Sequence, residues 1–307
     1  MTIGIAGIGI HIPQIQDCRE KLSRHNVDES FLENKTGFVG NAQKNGLATS
    51  DLCVLAAEDL ARKRDFSAEE VDFLCVCTQN GDFHLPQTSA LVHRKLGLPR
   101  SCAAFDISLG CSGYVYSLNV ARAFMEANGL KRGLVFTADP YSDIIDINDK
   151  NTDLLFGDAA TVTLMTDDPD YEIGKSVFET DGASAEALQC EHGGRLFMDG
   201  RRIFEFVLRH VPQSVDACLQ RNDLAKDDIT LFLLHQASLY LVKNAAKRLK
   251  VSVDKVPFVA AEYGNTVSSS VPLALEEHYD QKPGASLLLS GFGVGLSLAT
   301  TIITRIK

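Results

Sequence analysis

The chain has 307 residues, 45% of them hydrophobic, enough apolar side chain for a large core or two fused ones. Its formal net charge of -10 argues against a nucleic-acid binder, because neutralising phosphates takes clustered Lys and Arg. No apolar stretch approaches the roughly 20 residues of a membrane span, and MTIGIAGIGIHIP lacks the charged start and cleavage site of a secretory leader. A cytoplasmic protein with no membrane span and mostly buried, reduced cysteines is therefore expected.

The elements follow in chain order. The opening Gly4-x-x-Gly7-x-Gly9 runs into HIP rather than a helix, so it is not read as a dinucleotide loop. SDLCVLAAEDLARK (50–63) reads as an amphipathic helix and FLCVC (73–77) as a buried strand. Cys75 and Cys77 share a face of that strand, but no second pair or His cluster completes a site, so no metal is expected. CAAFDISL (102–109) is strand-like; CSGYVYSLNVARAFMEANG (111–129) is helix-like and stops at Asn128-Gly129. KRGLVFTA (131–138) and GDAATVTLMTDD (157–168) read as the next strands. The second half brings an amphipathic helix (RHVPQSVDACLQR, 209–221), the apolar strand LFLLH, and KVPFVAAEY (255–263) leading into a turn and helix, GNTVSSSVPLALEEHY. Pro272 is tolerable there only near the helix start, and GLSLATTIITRI (295–306) is the last strand.

The halves echo each other. RDFSAEEVDFLCVCTQ (64–79) lies on NDLAKDDITLFLLHQA (222–237) without gaps, each with a preceding helix and a following strand. Helices alternating with continuous apolar strands imply an α/β sheet covered on both faces. The repeat divides the chain into 1–168 and 169–307. It also puts GCSG (110–113) and GNTV (264–267) at corresponding turns, so Cys111 and Asn265 are expected at related helix entrances.

Cys111 follows a strand and a glycine and opens a helix, where free N–H groups and a partial positive charge favour thiolate and could hold an oxyanion on an attached thioester. A buried structural thiol is the alternative. His235 leaves a strand into a loop and is placed to face a cleft, or else is a satisfied, half-buried His. Asn265 is a partner for it, or an ordinary turn residue beside Gly264.

FDISLGCSGYVYSL, LLHQASLYLVKNAAKRL, YGNTVSSSVPLALEE and LLLSGFGVGLSLAT, taken together and in register, resemble β-ketoacyl-(acyl-carrier-protein) synthase III and its relatives. The resemblance implies a thiolase-like fold, two duplicated βαβαβ halves in an α-β-α-β-α core. It implies ping-pong chemistry in which Cys111 takes an acyl group and a malonyl thioester is decarboxylated to attack it. His235 and Asn265 would hold the enolate, and Phe292 would wall the malonyl carboxylate. The Cys111 N–H, with one from Gly293-Val294, would form the oxyanion hole. HQAS stands where HQAN is commoner, and Val294 interrupts a glycine run.

No tightly bound cofactor is implied; coenzyme A or phosphopantetheine thioesters are the substrates. Phe31 and Lys35 stand where the family has an aromatic and an Arg beside the CoA adenine, and Lys150 where it often has another Arg. Lys243, Lys247 and Arg248, with Arg201 and Arg202, could receive an acidic carrier protein or be a solvated face, and Tyr240 replaces a family basic residue. Leu85 matches a position near the primer tunnel, often supplied across a dimer interface, and a homodimer is the implied assembly. Two other outcomes stay open: acyl transfer from Cys111 to an amine or hydroxyl, and a non-catalytic partner in a condensing heterodimer.

Overall fold

Runs of three to nine residues, mostly apolar, form the strands here, and amphipathic segments between them form the helices that cover the sheets. The structure, a computed structural model, describes residues 2–307. The first half contains β1 (Gly4–His11), α1 (Thr49–Lys63), β2 (Phe73–Cys77), α2 (Thr88–Leu96), β3 (Ala103–Ile107), α3 (Gly113–Asn128), β4 (Arg132–Ala138) and β5 (Ala160–Thr166). The second contains β6 (Tyr171–Ile173), β7 (Val177–Thr180), α4 (Gly200–Arg221), β8 (Ile229–Leu234), α5 (Leu239–Leu249), α6 (Ser270–Glu277), β9 (Ser286–Gly293) and β10 (Ser297–Arg305).

The pairing repeats. In the first half the order is β3-β2-β4-β5-β1, with β2 parallel to β3 and β4, and β5 antiparallel to β4 and β1. In the second, β8 is parallel to β9, and β10 is antiparallel to β9, β6 and β7. So β8, β9 and β10 stand as β2, β4 and β5 do, and the two sets meet where Ile5 pairs with Tyr171. The echo reaches single hydrogen bonds: Ser67 N–H donates to the Glu70 carboxylate and Ala225 N–H to Asp228, each just before its strand. The counterpart of β3 is missing, because residues 255–263 form no strand; instead Asn265 bridges to Phe156.

Alternation along the strands sends side chains into three apolar layers. Leu74, Phe136 and Val162 pack outward on α1 and α2. Leu288, Phe292 and Ile302 pack outward on α4 and α5. Val135 of β4 and Leu287 of β9 point inward onto Tyr114 and Leu118 of α3 and Val271 and Leu275 of α6. The result is the α-β-α-β-α order, with α3 and α6 shared by both sheets.

Details differ from expectation. α3 stops at Gly129 in the left-handed region (φ 68°), but begins at Gly113, leaving Cys111 in the turn before it. α4 runs 22 residues from Gly200, longer than its amphipathic segment, with Pro212 inside. Pro272 is the third residue of α6, where a missing N–H leaves no bond unmade. No helix among the described residues is long and apolar enough to cross a membrane.

Candidate active site

A cavity of about 650 Å³ opens between the turns before α3 and α6, and Cys111, His235, Asn265, Phe292 and Gly293 all line it. Residues 124 and 154 positions from Cys111 in sequence thus meet because the duplicated halves face each other across the middle layer.

Cys111 is 4% exposed. Gly293 lies so close that a Cβ there would stand 2.7 Å from the sulfur. The N–H groups of Val294 and of Cys111 itself act on Sγ in favour of its thiolate, the same pair expected to form an oxyanion hole. They are outweighed: burial first, then the Asp139 carboxylate, push the thiol up to about 12. Against the expectation of a ready thiolate, burial in a largely apolar pocket favours the protonated thiol. Cys75 and Cys77 are buried inside β2; Cys190 is the exposed thiol among the described residues.

His235, at the end of β8, is 2% exposed and set edge-on to Phe292, ring centroids 5.4 Å apart at 84°. Burial lowers it to about 3, so the imidazole is neutral. Its Nδ1 lies 2.5 Å from Ser270 Oγ. That hydroxyl already accepts from the Gln236 N–H at 3.4 Å, and His235 Nδ1 is the acceptor it has for its own proton among the described residues. A buried hydroxyl proton seeks an acceptor, so Ser270 donates and the ring carries its proton on Nε2.

Asn265 is fixed in the same manner. Its Oδ1 accepts the Val267 N–H at 2.9 Å, and its backbone is held by Leu155 and Gly157. The amide oxygen is thereby used, and Nδ2 is left as a donor. The cavity is lined by two neutral N–H donors, one from each residue, beside a thiol.

Sequence reasoning missed Ser270 and Asp139. Ser268, Ser269 and Ser270 are all fully buried and each has its own partner: Asp139, the carbonyls of Thr137 and Ala159, and His235. The run of three serines after a turn was visible in the sequence, but not its burial or its partners. Asp139 accepts from Gln79 N–H at 2.7 Å and Ser268 Oγ at 2.9 Å, and burial raises it to about 7.

The expected substrate contacts divide. Phe31, Lys35, Lys150 and Arg201 line the cavity; Lys243, Lys247 and Arg248 do not, and lie exposed on α5. Lys35 Nζ sits 4.7 Å from the Tyr240 ring centre and Lys150 Nζ 5.8 Å from that of Phe31, so Phe31 and Lys35 are not paired with each other. Tyr240 stacks on Phe204 at 5.4 Å. Arg201 and Arg202 are held by Glu205 and Glu186. Leu85 is 80% exposed and lies outside this cavity. Among the described residues no group of three or more His, Cys, Asp or Glu could hold a metal ion.

Comparison with known proteins gives the same reading. The family models for 3-oxoacyl-[acyl-carrier-protein] synthase III and for its C-terminal region match residues 105–182 and 219–305. The chain is 34% identical over 296 residues to the β-ketoacyl-[acyl-carrier-protein] synthase III of Streptococcus gordonii, covering 91% of each. The Thermus thermophilus synthase III structure is 31% identical with a TM-score of 0.92, covering 98% of each chain. The priming β-ketosynthase of the R1128 polyketide pathway is 26% identical with a TM-score of 0.90, covering 100% of this chain and 97% of that one. The chain belongs to the 3-oxoacyl-[acyl-carrier-protein] synthase III family.

Proposed function

We propose that this chain condenses an acyl thioester with a malonyl thioester, releasing CO2 and a β-ketoacyl product, with Cys111, His235 and Asn265 as its catalytic residues. The Cys111 sulfur attacks the acyl carbonyl as its S–H bond breaks; the C–S bond to the carrier breaks, and the proton given up by Cys111 ends on the departing carrier sulfur as its free thiol. A malonyl thioester then enters with its carbonyl on His235 Nε2–H and Asn265 Nδ2–H. Loss of CO2 leaves the electron pair as an enolate that these two donors hold. The enolate carbon attacks the acyl-Cys111 carbonyl and expels the Cys111 thiolate. Phe292, packed edge-on to His235, gives an apolar wall that disfavours a carboxylate and favours its departure as CO2.

The observation that carries this reading is the pair of free donors. His235 uses Nδ1 on Ser270 and Asn265 uses Oδ1 on Val267, so both present only N–H to the cavity that ends on Cys111. A cationic His would instead stabilise charge before it forms, and burial prevents that.

Coenzyme A or a carrier-protein phosphopantetheine fits as the thioester arm, with Phe31, Lys35 and Lys150 at the entrance. A homodimer is supported by the edge strand β3, half-exposed along its length, and by exposed Phe83 and Leu85 on a nearby loop. The deciding experiment supplies labelled malonyl thioester to enzyme already acylated on Cys111. Stoichiometric labelled CO2 supports condensation. Acylation without CO2 release removes malonyl as the acceptor.

A further inference from the structure

The mouth of the cavity is built from stretches far apart in the chain. Phe31, Lys35 and Thr36 come from a run of short helical turns between Cys18 and Thr36, and Lys150 and Asn151 from the four-residue helix Lys150–Asp153. The first stretch is lightly anchored. Among the described residues no backbone-to-backbone hydrogen bond joins residues 19–36 to a distant part of the chain. Its apolar support is small as well: Cys18, Leu22 and Leu32 close on Leu154 in a cluster of their own, apart from the three large layers. Apolar burial is non-directional, so these few side chains leave the angle of the stretch open. Direction comes from one carboxylate, since Asp153 is 3% exposed and meets three cationic side chains. Its Oδ1 lies 3.2 Å from Lys21 Nζ, and its Oδ2 accepts from His25 Nε2 at 2.8 Å and Arg24 Nη1 at 3.4 Å. Lys21 is buried too, and its ammonium also donates to the Asp153 carbonyl at 3.1 Å and Asn41 Oδ1 at 3.2 Å. Three residues before Asp153, Lys150 holds its Nζ 5.8 Å from the Phe31 ring centre, so this clamp fixes the spacing of that pair.

Resting on the acyl-transfer reading above, we propose that Asp153 is a positioning residue for the acyl donor: by clamping Lys21, Arg24 and His25 it holds Phe31 and Lys35 against Lys150, and so governs capture of thioesters whose arm extends through the mouth. A buried ion pair adds little net stability, whereas removing one partner strands the other charge. Loss of the carboxylate therefore releases the whole 19–36 stretch, because its three ties converge on that one group. None of these residues lines the cavity near Cys111, so the clamp acts on binding of the arm and not on the thiol. A donor whose arm ends short of the mouth is indifferent to it.

The test is acylation of Cys111, followed by intact mass and by rate, with matched donors: acyl-coenzyme A and the same acyl group on N-acetylcysteamine, which lacks the nucleotide and most of the arm. Acyl groups from acetyl to octanoyl are tried, and the one that the native chain takes fastest is followed. Asp153→Asn keeps the shape of the side chain and removes its charge. It is expected to raise the coenzyme A thioester concentration for half-maximal acylation by about tenfold or more, with the rate at saturation within about twofold of native. Acylation by the N-acetylcysteamine thioester is expected to stay as in the native chain. Lys21→Met removes the opposite charge, is expected to shift half-saturation in the same direction, and serves if Asp153→Asn does not fold. Unchanged half-saturation in a folded variant overturns the clamp. Equal slowing with both donors also overturns it, since that is a general loss of structure. Phe31→Ala separates the causes. If it raises half-saturation while the Asp153 and Lys21 variants do not, the clamp alone fails. If it changes nothing, the mouth does not hold the arm, and if native Cys111 gains no acyl group from either donor, acyl transfer itself fails; the clamp falls with each.

Discussion

Ser270 Oγ donates to His235 Nδ1 at 2.5 Å, and this one bond decides which ring nitrogen carries the proton in the cavity. Ser270 belongs to the first turn of α6 and His235 to the exit of β8, so the tautomer is set by how that helix docks against that strand. Ser270→Ala removes the selection without emptying the cavity. CO2 release from malonyl thioester is expected to fall about tenfold, the worth of one net hydrogen bond in the transition state. Cys111 acylation should persist, and the ring's nitrogen-15 shifts should show a mixed tautomer. A structural role alone would leave the tautomer unchanged.

Asn265 should show the larger effect. In the proposed reaction Asn265→Ala deletes a donor to developing negative charge, and loss of such a donor typically costs about 100- to 1,000-fold. Single-turnover CO2 release on pre-acylated enzyme reads it directly. Acylation of Cys111 should survive in the same variant, since no part of Asn265 acts on the thiol.

The raised Cys111 thiol gives a pH signature. Only the thiolate alkylates, and with its pKa pushed up to about 12 the thiolate fraction grows with every step towards it. Iodoacetamide labelling of Cys111, located by peptide mass, should climb about tenfold per pH unit from neutrality into the alkaline range. A plateau below pH 8 would mean that the helix entrance and the Val294 N–H outweigh burial. Cys190→Ala removes the exposed thiol as background.

Asp139 links pH to stability. Its carboxyl is raised from the ordinary aspartate range to about 7 by burial, so the folded protein holds this proton more tightly than the unfolded chain does. The contribution is complete below about pH 4 and is lost as pH rises through about 7. The melting temperature of the native chain should carry that falling component, and Asp139→Asn should flatten it. An identical pH slope in both proteins would show that Asp139 is ionised throughout.

Much of this architecture was legible because the duplication repeats a hydrophobic pattern. The offset between Ser67–Glu70 and Ala225–Asp228 holds to the single bond, and both strands follow where the apolar runs begin. Cys111 and Asn265 were placed correctly at matching helix entrances. The thiol's charge state was not legible, because it depends on Gly293 closing on the sulfur from near the far end of the chain and on the Asp139 carboxylate brought beside it by the fold. Ser270 was hidden for the same reason: a serine in a helix's first turn reads as polar until the facing strand delivers an imidazole. The missing counterpart of β3 could not be foreseen from KVPFVAAEY, whose apolar content suits a strand although it forms none and leaves β8 as the end of the sheet.

The helices α3 and α6 have consequences beyond the site. Each turns apolar side chains towards both sheets at once, Tyr114 and Leu118 from one and Val271 and Leu275 from the other. A division of the chain near residue 168, as the repeat suggests, would therefore split the polypeptide but not its interior. A fragment carrying only one half would leave its inner helix half-unwrapped, and would need the complementary fragment to become soluble. The turns that carry Cys111 and Asn265 are accordingly bound to a single folding event, and neither can be inherited alone.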